Sequence, residues 1–207
     1  PQYVGNDWQD KSCSLALRVE AVQANGAAAG EETAKRIYLA ENTDELSQAL
    51  ENFKDGETIV LYSPKENWTN VSVEFSENKT LSLRGNAIGD LSINAPNGSV
   101  YLYNNVQTIS SVIVAEESVH VFGIVGSMNV QQGRAVLEAN ASVNAVVVVP
   151  ETNGNVKVEV VKDASVNSVE VKAAEGSVVE VVIAEEVESE TSIVVENNGG
   201  EVVVDAK

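Results

Sequence analysis

The chain has 207 residues, 43% hydrophobic and only 5% aromatic, so it can bury a sizeable core and that core is aliphatic. Its formal charge is −18, from 31 acidic against 13 basic residues, which argues against nucleic acid and against docking on anionic lipid, since both need clustered Lys and Arg. The acidity keeps a Val-rich chain soluble, leaves Ca²⁺ as the one cofactor to consider, and with no apolar run of spanning length no membrane insertion is expected.

Residues 1–35 are heterogeneous. "SLALRVEAV" (14–22) puts Leu15, Leu17, Val19 and Ala21 on alternate positions, as a strand would, while the spacing Leu15, Val19, Val22 also suits a short helix. "NGAAAGEE" (25–32) reads as a linker, which makes 1–35 an arm able to add a strand to another subunit. The single cysteine, Cys13, excludes an internal disulfide framework; it is a free thiol or a disulfide between subunits. The chain opens at Pro1 with no signal-peptide pattern, as a processed or a trimmed chain would.

Residues 36–62 are clearer. "RIYLA" (36–40) reads as a strand and "NTDELSQALENFKDG" (42–56) as a helix. Asn42 supplies the cap, Glu45 follows three residues on, and Asp44 sits in the first turn where the helix dipole favours acids. Leu46, Ala49, Leu50 and Phe53 make one apolar face, and Gly56 suits the stop. "ETIVLYS" (57–63) returns to strand.

From about residue 70 the chain repeats itself. "NKTLSLRGN", "NGSVYLYNN", "EESVHVFGI", "GRAVLEAN", "NGNVKVEVV", "EGSVVEVVI" and "NGGEVVVDA" start 19, 19, 17, 20, 22 and 23 residues apart. Between them lies a second set, including "ASVNAVVVV" (141–149) and "ASVNSVEVK" (164–172). From Ala141 onward there are 22 valines and no Phe, Trp or Tyr. Valine is stiff at its β-carbon and packs well on pleated surfaces, so this third is all β. Two short strands per coil of about 20 residues predict an all-β parallel β-helix (β-solenoid) over 36–207 with one N-terminal capping α-helix. A sandwich shows short strands too, but not in-register similarity at one period.

"YLAENTDELSQALENFKDGETIVLYSP" (38–64), followed by "FSENKTLSLRGN" (75–86), resembles the opening of pectate-lyase-like right-handed parallel β-helices. In that family a helix caps the first coil, then "DG-x-T-I-x-L" and "K-T-L-x-L-x-G-N" begin the winding. The resemblance covers about fifty residues in detail. It implies a fold shared with many cell-surface proteins and is nearly silent on activity.

Register tests the outer face. If Leu81, Leu83, Val100, Leu102, Val119 and Val121 point inward, Tyr101 stacks on His120 and Tyr103 on Phe122. These four form an interaction patch for a sugar or a partner protein, or an outer ladder of stacked side chains. His120 is the only histidine and no Gly-x-Ser-x-Gly elbow accompanies it, so it reads as a lone surface histidine, with no metal site expected. A lyase or glycosidase needs clustered carboxylates beside a base; Asp90, Asp163 and Asp205 fall far apart, and Glu159 and Glu180 read as a stacked ladder. No catalytic residues are assigned. Asn129, Asn144 and Asn167 share one slot and predict a hydrogen-bonded ladder at a corner. Sequons occur at Asn67, Asn70, Asn78, Asn97 and Asn140, the first three being the preferred glycosylation candidates.

The expectation is a non-enzymatic extracellular or cell-surface structural protein. It self-associates as a subunit of a surface layer, sheath or filament. Carbohydrate binding or adhesion by the aromatic patch is the alternative, and a polysaccharide lyase-like enzyme stands third.

Overall fold

Alternating apolar residues become strands wherever each can rest on an apolar residue one coil earlier. The computed structural model describes residues 35–63, 68–85, 87–112, 118–188 and 191–206. The arm strand expected at 14–22, Cys13 and Asn67 lie outside the described residues. The chain enters as β1 (Ile37–Ala40), passes through α1 (Thr43–Asn52) and returns as β2 (Glu57–Leu61). There follow β3 (Trp68–Glu74), β4 (Thr80–Gly85), β5 (Ile88–Asn94), β6 (Ser99–Leu102), β7 (Val106–Val112), β8 (Ser118–Val121) and β9 (Ile124–Leu137). The last part holds β10 (Ser142–Val148), β11 (Asn155–Val160), β12 (Ser165–Ala173), β13 (Val178–Ile183), the short helix α2 (Glu185–Glu188), β14 (Ser192–Asn197) and β15 (Glu201–Ala206).

These strands form two parallel sheets. The first runs β1-β2-β4-β6-β8-β9-β11-β13-β15 and the second β3-β5-β7-β9-β10-β12-β14. Each coil gives one strand to each sheet, and the result is an all-β parallel solenoid of about seven turns. β9 serves both sheets: its first half pairs with β7 and β10, its second half with β8 and β11. The sequence reads as two strands there. They fuse because Gly133, at φ 80°, turns the corner in a left-handed conformation that needs no intervening loop.

Inward positions stack in columns. Leu81, Val100, Val119, Ala135, Val158 and Val181 fill one; Leu83, Leu102, Val121, Leu137, Val160 and Ile183 fill the next. All are buried. The first column begins with a carboxylate. Glu57 is buried and accepts the Lys54 N–H at 2.7 Å and the Arg36 N–H at 3.3 Å, which offsets the cost of burying its charge.

Helix α1 closes the N-terminal side. Asn42 Oδ1 accepts the Glu45 N–H at 3.0 Å, and the Glu45 carboxylate accepts the Glu41 N–H at 2.8 Å. Leu46 and Ala49 are buried, and the helix packs on β1, β2 and β3. It ends at Asn52, short of the expected Gly56, because Phe53 turns extended and its ring meets Phe75 edge-on at 5.0 Å. Gly56, at φ 72°, belongs to the turn into β2.

The corner ladder holds in part. Asn167 Nδ2 donates to Asn144 Oδ1 at 2.9 Å. Asn129 does not join it: register places Asn129 beside Val147, three residues further along β10. Gly126 occupies the slot opposite Asn144, since a Cβ there would meet the Gln107 carbonyl oxygen at 2.6 Å. Replacing a column residue removes contacts in the coils above and below. Leu83→Ala should cost about 2–5 kcal/mol, read as a lower denaturant midpoint by circular dichroism.

Candidate functional site

The outer face of the first sheet gathers most of the large and reactive side chains that the described solenoid holds outside its core. Residues flanking each inward pair point outward, so three outward columns run along the sheet. One reads Thr80, Ser99, Ser118, Arg134, Lys157, Glu180; the next Ser82, Tyr101, His120, Val136, Glu159. The third follows two residues beyond the second and carries Arg84, Tyr103, Phe122 and Glu138.

The structure brings the four patch residues together. Tyr101 lies on His120 with ring centres 4.4 Å apart, and Tyr103 lies on Phe122 at 4.6 Å, both pairs nearly parallel. The Arg84 guanidinium covers the other side of Tyr103 at 4.1 Å. Both faces of Tyr103 are therefore occupied, and a ligand meets ring edges there, not a flat platform. Stacking one coil apart stands the rings upright from the sheet.

His120 is not isolated. Its Nε2 lies 2.6 Å from Ser118 Oγ and its Nδ1 lies 2.6 Å from Glu138 Oε1. The His120 and Glu138 side chains are 16% and 26% exposed, so water reaches the pair only in part. Sequence reading missed Ser118 and Glu138. The usable signal was a Ser two positions before the His on one strand face and an acid 18 residues on, close to one coil.

Beyond this triple lies a charge network. Arg134 pairs with Glu159 through Nε at 3.1 Å and through Nη2. Lys157 bridges Glu159 at 2.9 Å and Glu180 at 3.1 Å. Glu159 and Glu180 do not form the expected stack. Coils here are 23 residues long, not 21, so Glu180 falls beside Lys157 and Glu159 beside Val182. Burial pushes the Glu159 carboxyl up, but hydrogen bonds and charge from Arg134 and Lys157 outweigh it and hold the group below the ordinary carboxylate range. Hydrogen bonds to Glu159 and then Glu180 hold Lys157 above the ordinary lysine value.

The other candidates lie apart. Asn70 is exposed on the outer face of the second sheet, in register with Asp90, and Asn78 is exposed in the turn before β4. Among the described residues, no group of three or more His, Cys, Asp or Glu is arranged to hold a metal ion. No family model, curated protein or solved structure matches the chain.

The charge network makes stability depend on pH. Glu159, depressed in the folded state, stabilises above the unfolded carboxylate pKa of about 4.3, and this is lost as pH falls through its lower folded value. Lys157, raised, stabilises fully below about 10.4, and this is lost as pH rises through its higher folded value. Glu159→Gln should cost about 1 kcal/mol at neutral pH and flatten the acid limb of a stability profile measured by denaturant titration between pH 3 and 7.

Proposed function

We propose that the chain is a self-associating structural module of a cell surface or extracellular assembly, a subunit of a layer, sheath or filament. Its first coil is of the kind that opens pectate-lyase-like β-helices. The observation that carries this reading is the last coil. Register sets Val195 over Val171 and Val148, and Val204 over Val181 and Val158. The four earlier valines are fully buried, whereas Val195 is 43% and Val204 40% exposed. Within the described residues β14 pairs only with β12, and β15 only with β13. Among the described residues, two six-residue strand edges thus have no further neighbouring strand beside apolar core positions, which makes them a template for another chain.

A second copy is the occupant that fits. It supplies two edges of the same length and spacing with the same valine columns. The opposite side of the solenoid differs in carrying α1, which turns its exposed Thr43, Asp44, Ser47, Gln48 and Glu51 outward beside the edge strand β1 with its exposed Ile37 and Leu39. A contact between two last coils is self-complementary, tail to tail and isologous. Glu196 and Glu201 stand exposed at that end, so their mutual repulsion makes the contact stronger in salt or with a divalent cation such as Ca²⁺. Growth from pairs to a layer needs a second contact, for which the arm is the candidate, with Cys13 forming a disulfide between subunits.

Light scattering of the full chain without reductant, at millimolar Ca²⁺, should give a mass above that of one chain. Val195→Lys with Val204→Lys should shift that mass downward at unchanged circular dichroism. A wild type that stays a single chain across the accessible concentration range overturns the reading.

A further inference from the structure

Ser118, His120 and Glu138 stand in the order that a nucleophilic serine requires. The hydroxyl oxygen is 2.6 Å from one ring nitrogen, and a carboxylate oxygen is 2.6 Å from the other. We assign the ring proton to Nδ1, facing the Glu138 carboxylate. That leaves Nε2 as the acceptor for the Ser118 O–H. The arrangement is held rigidly. Ser118 and His120 are on β8, and the Glu138 N–H donates to the Val121 carbonyl at 2.9 Å, which continues the ladder just past β9. The imidazole is clamped by the Tyr101 ring on one side, 6° from parallel, and has Val136 as its register neighbour on the other.

The Asn144–Asn167 ladder joins like residues within one column. The chain of bonds through His120 crosses three adjacent columns instead. It links three different side chains in the sequence nucleophile, base, acid. We propose that Ser118 is a nucleophile activated by His120 and oriented through Glu138, acting on short-chain carboxylic esters. Ser118 is only 5% exposed, which restricts the proposal to a slender acyl group such as acetyl. Arg134 is the register neighbour of Ser118 in the next coil, and its guanidinium stays paired with Glu159.

The step balances. Oγ attacks the ester carbonyl carbon while its proton passes to Nε2. The bond to the alcohol oxygen breaks, and that oxygen takes the proton from Nε2. Water then attacks the acyl-Ser118 carbonyl, again giving a proton to Nε2. The carboxylic acid departs as Oγ regains its proton. The proposal is independent of self-association, since the triple lies on the outer face, away from β14 and β15.

The test uses the full chain and p-nitrophenyl acetate, with acetylated peptides mapped by mass spectrometry. A fluorophosphonate probe, which needs no deacylation step, runs in parallel. Both labels should fall on Ser118 ahead of every other serine, with an early release of p-nitrophenol. Ser118→Ala should abolish the release. His120→Gln and the isosteric Glu138→Gln should each slow it by about 10²-fold or more while circular dichroism is unchanged. Labelling of Ser118 no faster than of other serines, or a rate indifferent to Glu138→Gln in the folded protein, overturns the proposal.

Discussion

Register between successive coils is the constraint on which everything else rests. Parallel strands about 4.8 Å apart set each side chain directly on the one a coil earlier. An inward valine is stabilising only if its neighbours in the column are also apolar, and full burial of each contributes roughly 1.5–3 kcal/mol. A slip of one residue would turn the column outward and expose it. Coil length still varies, from the 16 positions between Ser118 and Arg134 to the 24 between Glu57 and Leu81. The corners absorb the difference: Gly133 removes a loop altogether, and Gly126 admits the Gln107 carbonyl of the coil below.

The same rule organises the surface. Stacking that builds the core also stacks whatever points outward, so each face becomes an ordered array. On the second sheet the array is small and polar, with Asn70, Asp90, Thr108 and Ser127 in one column. On the first sheet it is aromatic and charged. Tyr101, His120, Tyr103 and Phe122 stand as upright rings, and Ser118, Glu138 and Arg134 border them. A side chain on such a sheet is held by the backbone ladder on both sides. That rigidity is what allows a hydroxyl, an imidazole and a carboxylate to keep bonding distances without a supporting loop.

The two ends solve the problem of an unfinished stack differently. At the start, an amphipathic helix buries Leu46 and Ala49 against the core, and Glu57 satisfies backbone donors within it. In the last coil the same columns continue through Val195 and Val204 with nothing laid over them among the described residues. A helix on one side, beside the edge strand β1, and open valine columns on the other give the solenoid a direction. The proposed tail-to-tail pairing rests on those open columns.

Local pattern was enough for much of this. Period-two alternation marked the strands, the cap and stripe of "NTDELSQALENF" marked α1, and repeat spacing near residue 100 placed Tyr101 against His120 and Tyr103 against Phe122. Pattern failed where coil length changes, because an alignment by similarity does not see a corner. Asn129 was matched to Asn144 although Gly126 holds that slot, and Glu180 was set over Glu159 although Lys157 stands beneath it. The end of α1 at Asn52 was decided by where the Phe53 ring packs, not by the glycine that follows. Composition alone determined an aliphatic, acidic, all-β repeat. Which outward side chains meet was decided only by the wound chain, since Ser118 and His120 find Glu138 across a coil whose length is set by its corners.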